Sequence, residues 1–401
     1  MLFKISIMER LIKLSKRKSS NVKTNFKRFL YDNLDWEQPL TIIKGHRGTG
    51  KTTLLLQRIK ELKENAIYLS LDDIYFETYR LVELFDTLYE KGFRYFFLDE
   101  VHRYQHWSKD LKNIYDNYSD IRIVATGSSV LEIYKGKADL SRRAVSYYLP
   151  GLSFREFLEL EYQQQFPKIT LETIIKHHHE ISANYHDAVD IEKSFREYLQ
   201  YGYYPFFMQG KKLFGQKLLE ITNLVLEIDI APFEELSYST IRNMKKLLYI
   251  ISQSVPFTPN ITKLSDRMNI PRNTILKILY YMDQAKVLSL LRQDTKGISY
   301  LQKPDKVYLQ NPNLAWILSD GQPNTGNLRE TFFLSQTEVQ HRVTSSKFGD
   351  FLLDDTYLFE VGGPHKTKEQ IKGIPNAYIA SGEIKGGSGN KIPLWLFGFL
   401  Y

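Results

Sequence analysis

The chain has 401 residues, 43% of them hydrophobic and 25% charged, and no cysteine. That length exceeds one domain of roughly 100–200 residues, so two or three cores in series are expected, and the missing cysteines exclude a disulfide framework, a thiolate zinc site and a cysteine nucleophile. The net charge of +8 sits at the start, where residues 1–28 carry nine basic side chains against Glu9 alone, and the rest of the chain is neutral. No apolar run approaches the roughly 18–20 residues of a membrane span. Met1–Met8 lacks the basic start, long apolar centre and cleavage site of a secretory signal, so a cytoplasmic protein is expected.

Residues 1–38 read as a basic helical arm. It could bind phosphates or an acidic membrane surface, or it could be solvated and partly disordered, as chain ends often are. Over 39–150, short apolar runs alternate with helix-length segments, the pattern of a parallel α/β sheet. The expected strands are Thr41–Lys44, Ala66–Ser70, Tyr95–Leu98, Ile121–Ala125 and Val145–Leu149, with helices over 52–63, 78–90 and 107–118. Aromatic, helix-rich sequence over 151–240 reads as a helical lid or connector. Over 241–320, short helices at Ile261–Met268 and Arg272–Gln284 flank Asn269-Ile270-Pro271. With strand-like Val287–Arg292 and Lys306–Leu309 after them, they suit a winged helix-turn-helix. Its second helix could present Arg272, Asn273, Thr274 and Lys277 to DNA. Residues 321–401 form a helix start followed by Gly-punctuated strands.

Gly45-His46-Arg47-Gly48-Thr49-Gly50-Lys51-Thr52, followed by Thr53, is a complete Walker A loop between a strand and a helix. Glycines let the backbone wrap a phosphate chain closely. Lys51 is expected to reach the β- and γ-phosphates of ATP, and Thr52 to offer its hydroxyl to Mg²⁺. The run Tyr95–Glu100 is a Walker B element, with Asp99 the Mg²⁺ partner and Glu100 placed to polarise water. Thr126 and Ser128 end the next strand as candidate γ-phosphate sensors, the alternative being a turn with hydroxyl caps. Arg142 and Arg143 are candidate arginine fingers, in cis or across a subunit interface. His177-His178-His179 reads as a polar surface stretch, since consecutive helical residues diverge.

These motifs, with Leu140–Arg143 and Leu149–Phe157, resemble those of prokaryotic AAA-type P-loop ATPases with a winged-helix segment and a C-terminal domain of unknown function similar to PD-(D/E)xK nucleases. The resemblance implies an α/β fold: a RecA-like parallel-sheet P-loop ATPase domain, then a helical lid, a winged helix-turn-helix and a small α/β restriction-endonuclease-like domain. It puts Arg143 in the place of the family arginine and Arg142 in that of a glycine. In the nuclease-like domain Asp350 and Glu360 fall in order, but Gly362 stands where a lysine belongs, with Lys366 and Lys368 nearby, so a relic without cleavage activity is expected. The expected activity is Mg²⁺-dependent ATP hydrolysis driving a switch or motor. The alternatives are a nucleotide-gated DNA-binding regulator and an ATP-dependent nuclease. Partners could be DNA, a protein client or further copies of the chain.

Overall fold

The computed structural model describes residues 2–62, 65–127, 140, 142–230, 237–253, 258–293 and 302–401. It divides into two compact units, Met1–Pro150 and Gly151–Tyr401.

In the first unit, strands β1 (Leu40–Gly45), β2 (Ala66–Ser70), β3 (Tyr95–Asp99), β4 (Arg122–Gly127) and β5 (Val145–Leu149) form a parallel sheet in the order β2-β3-β4-β1-β5. The helices Lys51–Leu62, Leu81–Glu90 and Trp107–Asn117 lie between strands in sequence. Apolar residues alternate between two cores, as a sheet covered on both faces requires. Ile42, Ile67, Leu69, Phe96 and Ile123 face one core; Ile43, Tyr68, Phe97 and Val124 face the other. Strand and helix limits differ from the expected ones by a few residues at most.

The chain start differs from a solvated, disordered end. Helix α1 (Leu2–Asn21) buries Met8 and Leu11, with Ile12 packed against the same core and Ser15 3% exposed. These four positions share one helical face. The outermost strand β2 would otherwise show unpaired backbone groups to water. Instead the Tyr68 N–H donates to Ser15 Oγ at 2.9 Å.

The second unit begins at a capping box, Ser153 with Glu156, that starts the helix Phe154–Tyr162. The stretch 151–240 is tied to the chain's last residues. Ser153 Oγ and Arg155 Nε donate to the Tyr401 carbonyl at 2.8 and 2.9 Å, and the Ile169 N–H donates to the Phe399 carbonyl at 2.9 Å. Helices Ile261–Met268 and Arg272–Gln284 flank Asn269, whose left-handed φ of 53° ends the first of them. Antiparallel strands β6 (Leu288–Leu291) and β7 (Lys306–Leu309) follow. The helix Thr325–Thr337 precedes a mixed sheet of β8 (Val343–Ser345), β9 (Phe351–Leu353), β10 (Tyr357–Gly362), β11 (Ala377–Ser381) and β12 (Lys391–Pro393), in the order β12-β11-β10-β9-β8. Asp354 and Asp355, both at positive φ, turn β9 tightly into β10. His178 points inward and is 6% exposed while His177 and His179 face solvent. Among the described residues no group of three metal-ligating side chains could hold a metal ion.

Candidate nucleotide site

β1 delivers the chain to the loop at Gly45, and the helix Lys51–Leu62 leaves from its far end. Glycine is needed there for two reasons. Gly48 and Gly50 adopt φ of 81° and 95°, a region that costs other residues roughly 1–2 kcal/mol. At Gly45 a Cβ would stand 2.3 Å from the Leu149 carbonyl of β5. Inside the loop, Thr49 Oγ1 donates to the His46 carbonyl at 3.0 Å, and Lys51 Nζ donates to the carbonyls of Gly45 and His46 at 2.8 and 2.6 Å. His46, Thr49 and Lys51 are buried, Arg47 is half-buried, and Gly48 and Thr53 are exposed.

The carboxylate of Asp99, 2% exposed at the end of β3, gathers hydroxyls from three other elements. Thr52 Oγ1 donates to Oδ2 at 2.7 Å, the Tyr68 phenol donates to Oδ2 at 2.8 Å, and Thr126 Oγ1 donates to Oδ1. Burial, then the charge of Asp99, pushes the Tyr68 phenol up, so it is protonated and donating. The structure thus joins Thr52, Asp99 and Thr126. A carboxylate and hydroxyls are hard oxygen donors of the kind Mg²⁺ takes, and the glycine-permitted loop is a cradle whose close approach a Cβ would fill. Both features fit Mg²⁺–ATP.

Glu100 stands next to this network in left-handed backbone (φ 53°, ψ 42°), a conformation that is costly for a residue with a Cβ and that concentrates at functional sites. This turn ends β3 and starts the short 3₁₀ segment Val101–Arg103. Glu100 Oε2 lies 3.4 Å from His102 Nε2. Arg143 is placed elsewhere: its Nε and Nη2 fork onto Asp116 at 2.7 and 2.9 Å and hold that carboxyl below its usual range. Arg142 is exposed, and Ser128 lies outside the described residues.

Sequence reasoning missed Arg28, Tyr68 and His102. Arg28 is 5% exposed; its guanidinium donates to the Thr49 carbonyl of the loop and to the Pro150 carbonyl beyond β5, the latter at 2.8 Å. It belongs to the basic run, and nothing local in the sequence marks it. Tyr68 reads as one more apolar strand residue. For His102, the spacing of two from Glu100 was a usable signal.

In the second unit, Asp350 and Glu360 are each paired to a lysine. Lys306 Nζ lies 2.8 Å from Asp350 Oδ1 and Lys366 Nζ 2.5 Å from Glu360 Oε1. The Lys366 stem fills the space of the side chain that Gly362 lacks, since a Cβ there would meet it at 2.8 Å. Burial pushes the Glu360 carboxyl up against the pull of Lys366. Glu330, on the helix Thr325–Thr337, accepts from the Tyr308 phenol at 2.6 Å; burial, then the charge of Asp350, raises it to about 7.

A parallel sheet with Walker A after β1, Walker B at the tip of β3 and Thr126 at the tip of β4 defines a P-loop nucleotide-binding domain. Residues 37–158 match a family described as an AAA domain, and the matched stretch contains this sheet and both Walker elements. Over 276 residues the chain is 25% identical to an uncharacterized protein of Methanocaldococcus jannaschii, a match covering 65% of this chain and 59% of that protein. The chain thus spans less than two thirds of that relative. Among solved structures, it is similar to a Walker-type ATPase of Pyrococcus abyssi (14% identity, 73% of this chain, 96% of that one, TM-score 0.42). It is also similar to a Thermotoga maritima RuvB mutant (14% identity, 71% and 89%, TM-score 0.33). Likeness at those TM-scores carries no role over to this chain. Among the described residues no helix is long and apolar enough to cross a membrane.

Proposed function

We propose that this chain binds Mg²⁺–ATP at Gly45–Thr53 and hydrolyses it to drive a change of conformation. The reading rests on the Thr52–Asp99 hydrogen bond, which brings the Walker A hydroxyl and the Walker B carboxylate together across 47 residues of sequence. Backbone N–H groups at the start of the helix Lys51–Leu62 face the phosphates. Lys51 leaves the two carbonyls it now bonds and takes up the β- and γ-phosphate charge. Thr52 and Asp99 would hold Mg²⁺, which would supply charge neutralisation for the phosphates. Glu100, fixed in its left-handed turn, orients the attacking water and accepts its proton, and Thr126 links the γ-phosphate side to Asp99. For Arg143 to act as a finger, it would first have to leave Asp116.

Phosphate release with Lys51→Ala and Glu100→Gln tests this. Lys51→Ala is expected to abolish ATP binding, and Glu100→Gln to keep binding while slowing release about 100-fold or more. Hydrolysis untouched by either change refutes the reading.

A nucleotide-gated DNA-binding regulator is the second reading, supported by the exposure of Arg272 and Asn273 at the start of the helix Arg272–Gln284. It requires a salt-dependent DNA shift that tracks nucleotide state. Cleavage is not part of either proposal.

A further inference from the structure

Asp99 is buried, and a buried carboxylate keeps a fixed orientation only if its lone pairs are matched. Its three hydroxyl donors are not equivalent. In the Mg²⁺–ATP reading Thr52 is a metal ligand and Thr126 a γ-phosphate sensor, so both have other work when nucleotide is bound. Tyr68 alone lacks a second role. Its ring is held in the core beside Leu54, Leu55 and Phe97 and is 4% exposed. Its backbone N–H is fixed by Ser15 at 2.9 Å, and Lys18 Nζ stands 4.6 Å from the ring centroid. The ring therefore has little freedom to turn away, and its hydroxyl meets Oδ2, the oxygen that also binds Thr52.

We propose that Tyr68 is a positioning residue for the metal side of the nucleotide site, its phenol orienting the Asp99 carboxylate while helix α1 holds the ring in place. The proposal rests on the reading of Thr52 and Asp99 as the Mg²⁺ partners. Partners that hydrogen-bond a ligating group commonly set metal affinity by about 10–100-fold. Removing the phenol leaves one lone pair of a buried carboxylate unmatched and leaves its orientation to Thr52 and Thr126, the two donors that nucleotide and metal draw on.

Tyr68→Phe keeps the ring and deletes only the hydroxyl. A fluorescent ATP analogue, titrated onto the full chain without metal and then with rising Mg²⁺, separates the terms. The variant should bind the analogue within about twofold of wild type without metal, and should need about tenfold more Mg²⁺ or more for half-saturation. A lower Tm with an unchanged Mg²⁺ requirement makes Tyr68 a packing residue and overturns the proposal. Equal losses of metal-free and metal-dependent binding also overturn it. If the wild-type chain binds no nucleotide, or Lys51→Ala binds it as well as wild type, the P-loop reading itself fails and this proposal with it.

Discussion

Replacing Arg28 with methionine tests whether the chain start is part of the nucleotide site's architecture. Arg28 and Lys27 are adjacent basic residues in one charge run, yet the structure gives them opposite weights. The Arg28 guanidinium is buried and bonds the carbonyls of Thr49 and Pro150, so it ties the crest of the loop to the end of the last strand. A hydrogen bond from a charged donor contributes about 1.5–3 kcal/mol, so two contribute about 3–6. Methionine recovers part of that because the cost of burying a charge disappears, leaving a net loss of about 2–4 kcal/mol. For a unit of this size each kcal/mol moves Tm by about 2–4 °C, so Arg28→Met should lower it by roughly 5–15 °C. Lys27 pairs with Glu61 at the surface, where the two side chains are 30% and 37% exposed. Such pairs are worth about 0–1 kcal/mol, so Lys27→Met should barely register. Scanning calorimetry of both variants, with and without nucleotide, gives the comparison. Equal Tm values for the two, or Arg28→Met with wild-type Tm and wild-type nucleotide affinity, would refute the reasoning.

Gly45→Ala forces a methyl to within 2.3 Å of the Leu149 carbonyl, so β1 and β5 must part. Overpacking of this kind costs about 1–3 kcal/mol, and titration with a fluorescent ATP analogue should show nucleotide binding lost before the fold is. Glu330 gives a pH signature in the second unit. Its carboxyl keeps a proton to about pH 7 in the folded chain, whereas the unfolded chain releases it near 4.5. The folded state therefore binds more protons in that window, and stability falls as pH rises through it. The fall is roughly 3 kcal/mol at most, and Glu330→Gln should flatten this part of the profile in denaturant unfolding at pH 5 and pH 8. An undiminished slope in the variant would assign it to other groups.

The sheet was legible because buried parallel strands are short apolar runs bounded by glycine, proline and charge, which is how β1 to β5 appear in the sequence. The loop was legible for the same local reason, its glycines answering to backbone geometry. What escaped depends on distance. Arg143 meets an aspartate 27 residues earlier, and Tyr68 meets one 31 residues later; no spacing rule encodes either pairing. Helix α1 escaped for another reason. Met8, Leu11, Ile12 and Ser15 mark one buried face, but the stripe is narrow, ends on a serine, and lies within a run of basic residues that dominates its composition. At the other end of the chain Gly362 was legible as a departure from a family pattern. That the Lys366 stem would occupy the vacated volume, with its ammonium on Glu360, depends on how the chain folds back after Gly363.

The charge at the start of the chain argues in two directions once its members are placed. Arg10 pairs with Asp73, Lys18 lies over the Tyr68 ring, Lys27 pairs with Glu61, and Arg28 is spent on the loop and on Pro150. Lys13, Lys16, Arg17 and Lys23 are exposed. The described cations of α1 itself, Arg10 and Lys18 included, are exposed, as a surface for phosphates or acidic groups requires, whereas Arg28, beyond the helix, turns inward onto the nucleotide loop. Through Ser15 and Tyr68, α1 is two hydrogen bonds and one ring from Asp99. An anion captured by the exposed face would pull on a helix whose inner face fixes the carboxylate proposed to hold the metal. Salt that screens the outer lysines would leave the buried Arg28 and Tyr68 contacts intact. Wild-type nucleotide affinity should therefore respond weakly to ionic strength through this helix, while any anionic partner docked on the helix should be lost steeply as salt rises.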